Sequence, residues 1–266
     1  MSSTFQSKGA EKYESYMGRW SRRLAVPFLE FAGLDAGERV LDVGCGTGSL
    51  TFALPAHADV ASVEAIDYEQ QFVDAARERN HDPRINIRQG DACHLPFADA
   101  AFDRALSMLV LHFVSNAQRA VAEMRRVVRP GGIAAAAVWD NYGGQPSIRM
   151  FWDIAAALEP SAVKRRDAAF VRPMTRQGEL AKAFAEAGFT EITETLLTIR
   201  MEFENFDDYF IPQITGQGTL AEFVASLPDT TRRQIESAVR TAYLCGQPDG
   251  PRNFVSTAWA VRGRVP

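Results

Sequence analysis

The most suggestive chemistry in the chain lies where the apolar run VLDV at residues 40–43 passes into Gly44-Cys45-Gly46-Thr47-Gly48. Glycines at every second position let the backbone turn sharply with no Cβ in the way and bring its amide groups against a ligand. A strand, a glycine-rich turn and a helix start mark a nucleotide-type cofactor site. The dinucleotide fingerprint G-x-G-x-x-G shares this logic, but here the third glycine comes one place early. Asp42, two residues before the first glycine, suits a ligand that carries a cation and would repel a pyrophosphate. Cys45 belongs to the loop, where small size explains its presence without thiol chemistry.

Further candidates follow in order along the chain. A second strand over residues 60–66 ends in Asp67, roughly 20 residues beyond the glycines, where an acid can accept hydrogen bonds from ribose hydroxyls. A third strand over 85–88 leads into Gly90-Asp91-Ala92, and the apolar run 105–110, which contains Met108, reads as a fourth. A helix over 116–128 then meets Arg129-Pro130-Gly131-Gly132, where glycine ends the helix and proline stops it propagating. His112 stands just past the fourth strand, at the ligand-binding edge, and is the candidate general base. A structural or substrate-lining role is its competing reading. If it is the base for a hydroxyl acceptor, His112→Ala lowers turnover about 10²-fold or more.

These segments resemble the class I S-adenosylmethionine-dependent methyltransferases, in particular the small-molecule group called type 11, whose first motif reads very like VLDVGCGTG. Four matches stand in the right order over residues 40–139. The resemblance implies that Asp91, beside Ala92, holds the adenine amino group and that Tyr68 packs against the adenine. It also implies a helix folded across the cofactor from the segment holding Tyr13, Tyr16, Met17, Arg19 and Trp20. There Arg19 is placed to pair with the methionine carboxylate, for which a guanidinium is well shaped. Tyr16 is a candidate on the same grounds. The expected cofactor-binding set is therefore Asp42, Gly44, Cys45, Gly46, Gly48, Asp67, Tyr68, Asp91, Ala92, Met108, Arg19 and Tyr16, with S-adenosylmethionine as the cofactor and no metal.

Elements that could position such a set alternate between strand-like and helical periods, which implies parallel β-α-β units with right-handed crossovers. The fold expected is an α/β, Rossmann-like, doubly wound sheet. Seven strands with the last one antiparallel is the arrangement of the family it resembles. The chain divides into an N-terminal helical arm over residues 1–38, a cofactor-binding core over 39–140 and a cap insertion over 141–178. A core helix and strand over 179–200, a helical cap insertion over 201–252 and a closing strand over 253–266 follow. Both insertions are expected over the carboxyl ends of the strands, where open α/β sheets bind ligands. Helices are expected at 49–56, 70–79, 148–158 and 179–187. The aromatic residues Tyr142, Phe151, Trp152, Phe170, Tyr209 and Phe210 in the insertions suggest a partly apolar organic substrate, or else pack the lid.

Composition narrows the function. A net charge of −4 argues against a general nucleic-acid binder, which needs a basic surface. Cys45, Cys93 and Cys245 are odd in number and without metal-ligand spacing, so a reducing, cytoplasmic setting is expected. Charged residues near the N-terminus and the lack of a run of about 18 apolar residues argue against secretion and membrane spanning. No Asn-Pro-Pro-Tyr follows the fourth strand and no Pro-Cys pair suits cytosine methylation, which leaves a small-molecule acceptor. Two competing classes are a noncatalytic S-adenosylmethionine-binding protein and a nicotinamide-dependent oxidoreductase. The latter calls for the longer glycine spacing. An open apolar cleft beside the cofactor site favours the enzyme over the noncatalytic protein.

Overall fold

A computed structural model describes residues 9–216 and 218–266; residues 1–8 of the expected N-terminal arm lie outside it. Its sheet, seven-stranded among the described residues, has the order β3-β2-β1-β4-β5-β7-β6. β1 (Arg39–Val43), β2 (Ser62–Asp67), β3 (Ile85–Gln89), β4 (Phe102–Met108) and β5 (Val128–Trp139) run parallel. β7 (Arg252–Arg264) lies antiparallel between β5 and β6 (Thr190–Phe203). The last strand is thus the reversed one, as expected.

Alternation of side chains divides the core between the two faces of the sheet. Val40 packs on one face with Leu24 and Phe28 of α2 (Arg19–Ala32) and with Val73 and Ala76 of α4 (Gln70–Arg79). Leu41 and Val43 pack on the other with Val121 and Met124 of α5 (Ala117–Val127) and with Leu180 and Phe184 of α8 (Glu179–Glu186). α2 continues a short helix, α1 (Ala10–Tyr13), through a wider helical turn at Glu14–Gly18. At the end of the sheet away from the glycine loop, Arg104 is 1% exposed and grips Glu38 through two bonds of 2.7 Å while donating to the Ala32 carbonyl.

Two local expectations need correction. The helix predicted over 49–56 is a series of turns, with helix only at α3 (Leu54–His57). Pro55 has no N–H to bond back to residue 51, and the Thr51 hydroxyl is drawn to Asp42. The helix predicted over 116–128 stops at Val127, because Val128 is already extended and opens β5. Pro130 holds the preceding residue extended, so the turn from helix to strand precedes the glycines. Gly132 remains obligatory there, since a Cβ would meet the Asp103 carbonyl and the Val128 side chain.

The insertions form α6 (Pro146–Leu158), α7 (Ser161–Phe170), α9 (Phe206–Thr215), α10 (Thr219–Ser226) and α11 (Asp229–Leu244). An aromatic cluster holds them together: Phe206 stacks on Phe210 at 4.9 Å, Tyr209 on Tyr243 at 5.1 Å, and Phe151 meets both Trp152 and Phe210. The Tyr209 hydroxyl donates to the Ser147 carbonyl at 2.8 Å, tying α9 to α6. No helix among the described residues is long and apolar enough to cross a membrane.

Candidate active site

Five parallel strands bring their carboxyl ends to one edge, and the candidate residues with them. β1 ends in the glycine loop, β2 in Asp67, β3 before Gly90-Asp91-Ala92 and β4 in Met108. Together they line a single cleft at that edge. Gly44 and Gly48 have positive φ, and a Cβ on them would run into Val110 and Phe52. Gly46, also at positive φ, has nothing within 4 Å of such a Cβ, so its empty side belongs to the cleft.

The loop is tied down by its own amides. Gly44 and Cys45 both donate to the Ile66 carbonyl at 2.8 Å, Gly48 to the Cys45 carbonyl, and Gly46 to Asp67 Oδ2 at 2.8 Å. These amides therefore shape the loop, and the expectation that they all face a ligand is corrected: the glycines supply room. The first helix closes over this loop. Glu14 accepts from the Thr47 hydroxyl and from Arg22, and Arg79 donates to Glu14 and to the Thr47 carbonyl, each at 3.1 Å.

Two acids stand at the cleft floor. Asp42 is 1% exposed, with Oδ2 accepting from the Thr51 hydroxyl at 2.6 Å and Oδ1 buried without a partner. Burial pushes its carboxyl up to about 7, against the Thr51 bond and helped by the charge of Asp67. Asp67 is pushed up to about 6 by burial, against the amides of Glu69 and Gly46 that hold its two oxygens. Ser49 adds a second buried and unpartnered oxygen to the lining.

A second cavity adjoins the cleft and shares Tyr13, Leu109 and Phe113 with it. Its walls come from the arm (Tyr16, Met17), the β4 and β5 ends (His112, Trp139) and both insertions (Gln145, Trp152, Phe170, Arg172, Leu220).

The methyltransferase domain family, in its type 11 form, matches residues 41–136. Over 185 residues the chain is 31% identical to a demethylmenaquinone methyltransferase of Renibacterium salmoninarum, covering 66% of this chain and 74% of that protein. The chain belongs to the class I S-adenosylmethionine-dependent methyltransferases. A demethylmenaquinone methyltransferase of Lactobacillus johnsonii is 32% identical over 142 residues, which span 52% of this methyltransferase and 58% of that protein. Among solved structures, the fold is shared with phosphoethanolamine N-methyltransferase 2 of Haemonchus contortus, at a TM-score of 0.60 and 15% identity over 97% of this chain and 56% of that one. It is also shared with the YcgJ protein of Bacillus subtilis, at 0.57 and 19% over 91% and 97%.

S-adenosylmethionine is the cofactor of this family, and the cleft of this methyltransferase fits it. The orphaned oxygens of Asp42 and Ser49 await polar partners, the space over Gly46 admits a ligand, and acids suit a molecule carrying ammonium and sulfonium charges. Among the described residues no His, Cys, Asp or Glu cluster could hold a metal ion.

The structure gathers Asp42, Gly44, Cys45, Gly46, Asp67, Tyr68, Asp91, Ala92 and Met108 along the cleft, with Gly48 shaping the loop behind it. Tyr68 is 40% exposed at the rim. Asp91 accepts from the Cys93 amide at 2.8 Å, which fixes its turn. The Cys45 thiol is pushed well up by burial and by the nearby acids, in keeping with a residue chosen for size.

Three expectations come out differently. Arg19 does not line the cleft: its guanidinium pairs with Asp208 at 2.9 Å and lies 4.2 Å over the Trp20 ring. Tyr16 faces the second cavity, with its phenol pushed up to about 12 by burial. His112, 4% exposed, is pushed down to about 3, first by burial and then by the charge of Arg172. Burial thus favours the neutral imidazole, and its place in the wall of the second cavity accords with the substrate-lining reading.

Of the cap aromatics, Trp152 and Phe170 line the second cavity. Phe151, Tyr209 and Phe210 are buried in the lid, and Tyr142 carries the Arg176 guanidinium at 4.2 Å. Tyr13, expected only as part of the arm, does line the cleft, whereas the sequence reading missed the functional placement of Thr51, Gln145 and Arg172, for which the sequence carried no signal.

Proposed function

We propose that this methyltransferase moves the methyl group of S-adenosylmethionine to a small, partly apolar organic acceptor. The observation that carries this reading is the meeting of the two cavities at Tyr13, Leu109 and Phe113, which sets an acceptor space against a cofactor space. Bound in the cleft, S-adenosylmethionine would supply an activated methyl group on sulfonium: the acceptor atom bonds to the methyl carbon in line as the carbon–sulfur bond breaks and S-adenosylhomocysteine leaves. Asp67 is positioned for the ribose hydroxyls, Asp91 and Ala92 for the adenine with Tyr68 beside it, and Asp42 and the glycine loop for the methionine end. The arm, fastened by Glu14, excludes water and holds the two ligands in register, which suffices to accelerate a reaction whose electrophile is already activated.

An open cavity with apolar walls supports the enzyme over a noncatalytic binding protein, and family membership displaces the nicotinamide reading. The named activity of the two quinone relatives makes hydroquinones a reasonable first set of acceptors. Calorimetric titration with S-adenosylmethionine, alongside NADH, tests the cofactor half. Asp67→Ala is expected to weaken S-adenosylmethionine at least about 10-fold, the equivalent of one good charge-assisted pair of hydrogen bonds. Undiminished binding by that variant removes Asp67 from the site. Radiolabelled methyl transfer to a panel of hydroquinones and aromatic acids tests the acceptor half.

A further inference from the structure

We propose that the second cavity binds its acceptor as an organic anion, seated by Arg172 with Gln145 and His112 as neutral hydrogen-bonding partners. The inference rests on the reading of this cavity as the acceptor site and names the class of molecule that enters it.

Arg172 is half-buried in the cavity wall, its guanidinium centre 4.8 Å from the Phe113 ring at the junction with the cofactor cleft. Among the described residues no carboxylate lies within ion-pair distance of it. Glu222, the other charged residue of the lining, is exposed at the cavity mouth. Gln145 is 2% exposed, and neither its amide nitrogen nor its oxygen has a partner. His112 Nδ1 is likewise buried and unpartnered.

Gln145 and His112 thus leave buried polar atoms without partners at one cavity, which is costly, and the half-buried Arg172 guanidinium beside them has no carboxylate to neutralise it. A ligand that satisfies them recovers this cost. A guanidinium and an amide N–H are donors, and a guanidinium presents the fork that an oxyanion with two oxygens, or with delocalised charge, fills best. Trp152, Phe170, Ile148 and Leu220 form the rest of the wall, so the anion is attached to an apolar body. The same arrangement answers the loss of His112 as a base. An acceptor bound as its anion has already given its proton to solvent, and Arg172 stabilises the ionised form without a protein base.

The shared chemistry is that of a carboxylate or of an enolate or phenolate, and paired probes separate them. With the protein saturated by S-adenosylhomocysteine, quenching of tryptophan fluorescence follows binding of 2-naphthoate against neutral 2-naphthamide. A second pair, 4-nitrophenolate against 4-nitroanisole, is read at pH 8.5. At least one anion is expected to bind about 10-fold or more tighter than its neutral partner. Arg172→Gln should erase that preference, and Arg172→Lys should restore part of it. S-adenosylhomocysteine affinity, measured on the same samples, should stay unchanged in both variants. Neutral probes binding as well as the anions, a preference that survives Arg172→Gln, or no anion binding by cofactor-loaded protein would each overturn the proposal. Loss of S-adenosylhomocysteine binding in the wild-type protein would instead defeat the underlying methyltransferase reading of the cleft.

Discussion

Asp42→Asn should make the cofactor-free protein more stable at alkaline pH while impairing its cofactor site. In the folded protein burial holds the Asp42 carboxyl at about 7, whereas in the unfolded chain it returns to the ordinary value of 3.8. Between these two values the folded state binds more protons than the unfolded state, so stability falls as pH rises; above about 7 both are ionised and the loss is complete. The span of 3.2 units corresponds to about 4 kcal/mol at 1.36 kcal/mol per unit. Asparagine has the same shape, keeps an oxygen for the Thr51 hydroxyl and carries no charge to desolvate. Most of the cost is incurred between pH 5 and pH 8, where the same linkage opens a gap of about 2–3 kcal/mol between variant and wild type. Urea unfolding of both proteins at the two pH values, without cofactor, measures that double difference. Parallel pH dependence of the two proteins, or an Asn variant that loses ground at pH 8, would refute the claim that Asp42 is a buried carboxyl kept for a cationic ligand. Asp67, pushed up in the same way, titrates in both proteins, and because its charge and that of Asp42 repel, the measured difference includes that mutual repulsion.

The two remaining predictions separate room from structure and charge from packing. Gly46→Ala should cost only the left-handed backbone penalty of about 1–2 kcal/mol, yet weaken S-adenosylmethionine more than about 10-fold, because its Cβ meets no protein atom and intrudes on the ligand's space. Gly48→Ala adds a clash with the Phe52 ring to the same penalty and should destabilise by about 3 kcal/mol or more; thermal melts and calorimetric titration on both variants make the comparison. Glu38→Gln, which strands the buried Arg104 guanidinium, should cost about 3–5 kcal/mol in urea unfolding, while the double variant Glu38→Leu with Arg104→Met should recover most of it.

Local chemistry explains what could be read before the fold was known. The glycine loop, Asp67 and Asp91 each sit at the end of an apolar run, so sequence distance along a parallel sheet converts directly into a shared edge. Arg19 was misread because its partner Asp208 lies 189 positions away, and no spacing rule reaches that far. Gln145 and Arg172 could not be recognised for a related reason: in the sequence they are an amide before a helix and an arginine in a loop. They become notable only when the insertions fold onto the β4 end and leave them unpartnered. Thr51 was hidden by a helix expectation that Pro55 defeats. His112 was located correctly but assigned a basicity that depends on burial and on Arg172, and neither is visible along the chain.

The topology also sets an order in time. Every residue lining the first cleft falls between Tyr13 and Val114, whereas the second cavity, proposed for the acceptor, is incomplete until Glu222 has been made. Among the described residues β6 pairs in the sheet with β7 alone, so during synthesis it waits as an unpaired edge until residues 252–264 leave the ribosome. A nascent chain can therefore hold the shape of a cofactor site well before it holds a place for anything to be methylated.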